Sequence, residues 1–262
     1  MRSRPCIAAA VAMAITGILA WKAPPTTAAR RYRLDLKTTQ VIDLKAVGQT
    51  EQRQEFGSTG FLSVSIADTT GGKTISVVLD SLKPDSASPV PSEAAKAAAG
   101  TTWHGVVGSN GRITGLQASS DNPVAVTLTA LLREFLPPVP TGVAPGKAWT
   151  DTTENNDNVP NGSMAVRTIT NFQSSSETYE GVKALKIASA SSSSFSGNQE
   201  TGGGSAAIEG TGTGTGTWYI GPDGTYLGGK RSSMQNLTVS GAFAPEPLPV
   251  VVTLDATTSL LK

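Results

Sequence analysis

Residues 32–47, YRLDLKTTQVIDLKAV, alternate between apolar and polar side chains along nearly their whole length. Tyr32, Leu34, Leu36, Ile42, Leu44 and Ala46 fall on one face; Arg33, Asp35, Lys37, Asp43 and Lys45 fall on the other. Successive side chains of a strand point to opposite sides, so a period of two with aromatic and β-branched residues describes a half-buried strand. The run exceeds the usual strand length of about five or six residues. Long antiparallel strands with one wet face twist and curl around whatever lies on the dry one. The expected fold is therefore mainly β: a long-stranded, curved antiparallel sheet, an incomplete barrel, with one or two short helices packed on its concave side.

Reading outward from this stretch, Leu62, Val64 and Ile66 continue the pattern in a second strand. The Gly71–Gly72 pair then turns the chain into Ile75, Val77 and Leu79 as a hairpin. Pro84 to Pro91 reads as a loop. Ser92 reads as the cap of an alanine-rich helix from Glu93 to Ala99, which Gly100 ends. Asn122 caps a second helix with Pro123 at its first position. Val124, Leu128, Leu131, Leu132 and Phe135 give it an apolar face, and Pro137, Pro138 and Pro140 stop it. Thr127 and Thr129, being β-branched, would also suit a strand. As a helix, this segment is placed to fill the concavity. Thr141 to Asn161 reads as a connector rich in Gly, Pro, Asn and Asp. Strands resume at 164–172, 182–190, 208–220, 225–239 and 248–261, with Ser191 to Ser205 expected to be a loop. TTWHGVVGSNGRITG around Trp103 echoes GTWYIGPDGTYLGG around Trp218. The echo suggests two diverged β-meanders, 30–120 and 147–262, joined through the helix at 122–136 within one domain.

Residues 1–29 have the layout of an export signal: Arg2 and Arg4, then an apolar run from Ile7 to Trp21, then Pro24, Pro25 and small residues up to Ala29. The apolar run is short for a bilayer span, which needs ~20 residues. Cleavage after Ala28 or Ala29 would leave no stable membrane span and a periplasmic or secreted chain. Losing Arg2, Arg4 and Lys22 takes the charge from +1 to −2, 18 basic against 20 acidic residues. A near-neutral chain carries no electrostatic footprint for nucleic acid. Cys6, the only cysteine, lies in the signal, so no disulfide and no thiol chemistry are expected.

Residues 208–220, IEGTGTGTGTWYI, are the most unusual segment. Laid out as a strand, one face carries Ile208, Gly210, Gly212, Gly214, Gly216, Trp218 and Ile220; the other is a threonine ladder. Threonine favours extended backbone, and the glycines leave room for a neighbour to approach it. Either the helix or a Trp fills that room, which is the plainer reading, or an apolar ligand does. Trp103, the counterpart in the echo, joins the groove candidates. Asp151, Glu154, Asn155, Asn156, Asp157 and Asn158 crowd one stretch, yet the twelve-residue calcium-loop pattern is missing; a solvated turn is expected and no metal or other cofactor. His104 is the only histidine, and no Gly-x-Ser-x-Gly elbow accompanies it, so no catalytic residues are assigned.

The export signal, the strand ending SVVLDSLKPD, the helix running into LREFLPPVP, the segment PGKAWTDTT and the turn in YIGPDGTYLGG together resemble a family of exported or lipid-anchored bacterial envelope proteins of uncharacterised function. That family is similar in layout to half-barrel carriers of the lipoprotein-localisation type. The resemblance implies an incomplete barrel with helices across its open side and an apolar pocket beneath them. The lipobox cysteine of many such proteins is missing here. The expectation is a non-catalytic envelope protein that binds a lipid or other apolar ligand. The alternative is a structural or interaction module with a filled core that meets another envelope protein.

Overall fold

The computed structural model describes residues 28–45, 48–70, 72–159, 162–201, 204–241 and 246–262. The chain is mainly β: one curved, unclosed antiparallel sheet of eleven strands with two short helices. The export-signal segment before residue 28 lies outside the described residues, as do Ala46, Val47 and Gly71. The strands are β1 (Arg30–Ile42), β2 (Gln52–Thr69), β3 (Gly72–Pro84), β4 (Thr102–Val107), β5 (Ile113–Ala118), β6 (Ala148–Val159), β7 (Gly162–Tyr179), β8 (Val182–Thr201), β9 (Gly204–Ile220), β10 (Tyr226–Gly241) and β11 (Leu248–Leu260). Helix α1 (Ser92–Ala98) follows β3, and α2 (Pro123–Arg133) links β5 to β6.

Across the sheet the order is β5-β4-β3-β2-β1-β11-β10-β9-β8-β7-β6, so the first and last strands pair at its centre. The two edge strands are the ones that α2 connects. The β1–β11 register sets Tyr32 against Leu260, Leu36 against Ala256 and Ile42 against Val250, placing both apolar sets on the concave face. Curling is helped where ladders slip by a residue, as between Tyr226 and Gly228 opposite β9. Gly228 has φ +140°, and a Cβ there would meet the Thr258 carbonyl and the Tyr179 hydroxyl, so the bend requires glycine.

Helix α2 begins as expected: the Asn122 side chain accepts a hydrogen bond from the Val124 N–H at 2.8 Å, with Pro123 first in the helix. Val124, Ala125, Leu128 and Leu132 are buried against the sheet. Helix α1 corrects one expectation. Ser92 is already helical, and Pro91 holds the cap position without a side-chain bond. Beneath the helices lie Leu34, Leu62, Ile75, Val77, Leu79 and Trp103. Tyr32, Phe135 and Tyr226 join them, with ring centroids 5.1–5.7 Å apart. The Tyr32 hydroxyl donates to the Tyr226 carbonyl at 2.9 Å, and burial pushes its pKa up to about 12. The Asp-Gly turn between β9 and β10 closes on Asp223, which accepts from the Thr225 hydroxyl and N–H. These bonds, with the Arg30 guanidinium beyond them, hold its carboxyl down at about 2.

Two more expectations fail, for one reason. Residues 148–159, read as a connector, form β6, and residues 191–201, read as a loop, continue β8 to Thr201. Composition argued for coil in both, yet each pairs along its length with a long neighbour: β6 with β7, and β8 with β7 and β9. The ladder overrides weak intrinsic preference. Conversely β1 stops at Ile42, so Leu44 and Lys45 leave the strand that was expected to carry them.

Candidate functional site: the concave face beyond the helices

The registers sort the concave face into rows crossing the strands. The row nearest the helices is aromatic on one side: Trp149 stacks on Phe172 at 5.2 Å, and Phe172 lies 6.4 Å from Trp218. Further from the helices, Asp151, Thr170, Ser191, Gly214, Ser233, Leu254 and Thr38 stand side by side from β6 to β1. The next row reads Thr153, Thr168, Ser193, Gly212, Gln235, Val252 and Gln40. Beyond that the face turns apolar again, with Val166, Phe195, Leu237, Val250 and Ile42. A hydroxyl belt thus lies between an apolar core and an apolar rim.

Over this belt, between α2 and the sheet, sits a cavity of about 1340 Å³. Leu128 and Leu131 of α2, Leu116 of β5, and Leu36, Phe56 and Leu254 supply its apolar walls. Ser189, Ser191, Ser193, Thr168, Thr170 and Ser233 supply its polar one. It exceeds the ~300–1,000 Å³ of ordinary small-molecule sites.

The seam between the two sheet edges closes one side of it. Arg112, just before β5, forms an ion pair with Asp151 of β6, the two side chains being 26% and 27% exposed. Arg112 also donates to the Thr152 carbonyl at 3.3 Å. The segment after α2 adds the Thr141 hydroxyl on the Ser109 carbonyl (2.9 Å) and the Trp149 Nε1–H on the Pro138 carbonyl (3.2 Å). Gly111 lets the β4–β5 turn approach the segment after α2, since a Cβ would meet the Val139 nitrogen at 2.6 Å. On the α2 side, the Arg231 guanidinium donates to Glu134 at 3.0 Å and to the Leu131 carbonyl at 3.4 Å.

Of the groove candidates, Gly212, Gly214 and Trp218 line the cavity. Gly216 lies under the Trp218 ring, and a Cβ on Gly210 would meet Leu237. Ile208 is buried, but beyond the hydroxyl rows and away from the cavity. Trp103 is fully buried in the core instead, its Nε1–H donating to Thr129 of α2 at 2.8 Å. The room left by the glycines is thus shared among neighbouring side chains: Trp218 over Gly216, the Ser191 hydroxyl beside Gly214, and the Phe195 ring edge beside Gly212. The β8 serines, Phe195 and both ion pairs went unread as site residues. Their signal was the odd-numbered run Ser189, Ser191, Ser193, Phe195, hidden by the expectation of a loop.

His104 is exposed on the other face of β4, opposite Ser76 and Gln117. The acidic stretch of β6 is split by strand alternation: Asp151 faces Arg112, while Glu154 points the other way to Arg167 at 3.2 Å. Among the described residues, no three His, Cys, Asp or Glu side chains converge as a metal site would need. No described helix is long and apolar enough to cross a membrane. Compared with known proteins, the chain matches no family model, no curated protein and no solved structure.

Proposed function

We propose that this protein is a non-catalytic carrier of the bacterial envelope, exported by its N-terminal segment, which holds a lipid-like ligand in the cavity between α2 and the sheet. The observation carrying this reading is the space of about 1340 Å³ between a helix that fills only part of the concave face and a wall that no other described residues cover. Its lining refines the ligand expected from sequence. Leucines and Phe56 on one side and serines and threonines on the other suit an amphiphile better than a pure hydrocarbon. Most charged groups at the cavity are held in ion pairs, Arg112 with Asp151, Arg231 with Glu134 and Glu154 with Arg167, which suits holding a molecule rather than transforming it. Native mass spectrometry of the protein purified from its own host is expected to show a lipid-sized adduct lost on organic extraction. An adduct-free protein that also takes up no fluorescent fatty acid would overturn the reading. The exported chain is expected to begin at Ala29 or Arg30 on N-terminal sequencing; an intact Met1 in the membrane fraction would contradict export with cleavage.

A further inference from the structure

Resting on the carrier reading, we propose that the ligand's polar part is uncharged and rich in hydroxyls, a sugar or polyol head that lies on the β7–β10 wall. Four hydroxyls of that wall, those of Thr170, Ser189, Ser191 and Ser233, line the cavity and have no side-chain partner among the described residues. Each offers one donor and acceptor lone pairs. A bare alkyl chain laid over them would strip their water bonds and return nothing. A polyol returns both donors and acceptors.

An ionic head fits less well. The basic groups lining the cavity are Arg112, Arg133 and Arg231. Arg112 is paired with Asp151, Arg231 with Glu134, and Arg133 is engaged as well. At Arg112 a carboxylate or phosphate would leave the partly buried Asp151 unpartnered, and at Arg231 it would compete with Glu134 and the Leu131 carbonyl. A cationic head would have to displace an arginine from the same carboxylates. Gly212 is buried beside the Phe195 ring, whereas the half-buried Gly214 carries no side chain into the cavity amid the hydroxyls, so a flat-faced ring has a floor at Gly214 with the Phe195 ring near by.

The test uses four amphiphiles sharing a dodecyl chain, at micromolar concentrations below micelle formation: dodecyl maltoside, dodecanol, dodecyl sulfate and dodecyltrimethylammonium. Binding is measured by calorimetry to the wild type and to the triple variant Ser189→Ala, Ser191→Ala, Ser233→Ala. Those three hydroxyls make no bond to another described residue, so the variant is expected to unfold at the wild-type temperature. Wild type is expected to bind the maltoside at least about tenfold more tightly than the other three; the triple variant should lose that preference while binding dodecanol within about twofold of wild type. An ionic probe that binds tightest, or a maltoside preference that survives the triple substitution, overturns the head-group assignment and leaves the carrier reading standing. Binding of none of the four, dodecanol included, overturns the carrier reading and this assignment with it.

Discussion

The two halves of the concave face are built on one register and differ in what their strands contribute. From β1 to β5 the inward positions carry Leu34, Leu62, Val64, Ile75, Val77 and Trp103, and both helices lie against them. From β6 to β10 the corresponding positions in the two rows below the aromatic one are serine, threonine and glycine apart from Asp151 and Gln235, and no described helix packs directly on them. A helix is held by the apolar area it removes from water, at ~25 cal/mol per Å². The first half offers that area and the second does not. The cavity lies where the chain stops supplying large apolar side chains on the sheet while continuing to supply strands.

The largest expected effect tests that asymmetry. Trp103 is fully buried and bonded to Thr129. Trp103→Ala is expected to cost about 3–5 kcal/mol in denaturant unfolding. Phe195→Ala, an aromatic truncation on the uncovered half, is expected to cost less than half of that. Equal losses would mean that the two halves are packed alike and the comparison fails. Next comes Gly216→Leu, whose side chain would have to displace the Trp218 ring. Overpacking there is expected to cost about 1–3 kcal/mol with or without ligand.

How much of this was legible varies along the chain in a physically sensible way. Large alternating side chains announce themselves, so the concave face of β1 as far as Ile42 and the α2 cap at Asn122 could be read residue by residue. The glycine face of β9 was legible too, since threonines at odd positions keep the strand extended. What failed was β6 and the second half of β8, where Ser, Asn, Gly and Thr carry no propensity of their own and are extended only because neighbours on the sheet pair with them. The cavity wall consists mostly of such residues. The ion pairs were illegible because Arg112 and Asp151 meet only when the sheet's two edges are brought round, 39 residues apart in the chain.

Gly214→Leu sharpens the comparison from the other side. A Cβ at Gly214 would meet the Ser191 hydroxyl at 2.7 Å, the tip of a small side chain that can turn away, and the Ser232 carbonyl at an ordinary 3.4 Å. The rest of the leucine would enter the cavity. Thermal unfolding of the ligand-free protein is expected to change little, while uptake of a fluorescent fatty acid is lost. A stability loss as large as that of Gly216→Leu would show that the wall at Gly214 is packed as tightly as at Gly216.

The smallest effect on stability is expected from Asp151→Asn, and it bears on charge rather than packing. The Arg112–Asp151 pair is partly exposed at the seam, where such pairs contribute about 0–1 kcal/mol. The Thr141–Ser109 and Trp149–Pro138 bonds still hold the edges together in the variant, so its unfolding curve should nearly overlay the wild type. Its ligand preference should not. Arg112 lines the cavity, and with the carboxylate replaced by an amide the guanidinium keeps neutral acceptors, the amide oxygen and the Thr152 carbonyl, but loses its counter-charge. An anionic head entering from the cavity then no longer has to compete with Asp151. Dodecyl sulfate should bind the variant several-fold more tightly than wild type, with the gain shrinking as salt is raised and screening grows. Dodecyl maltoside, recognised by uncharged hydroxyls, should bind both proteins alike. Unchanged binding of the sulfate would mean that Arg112 does not face the ligand, and that the neutrality of the site does not rest on this pair.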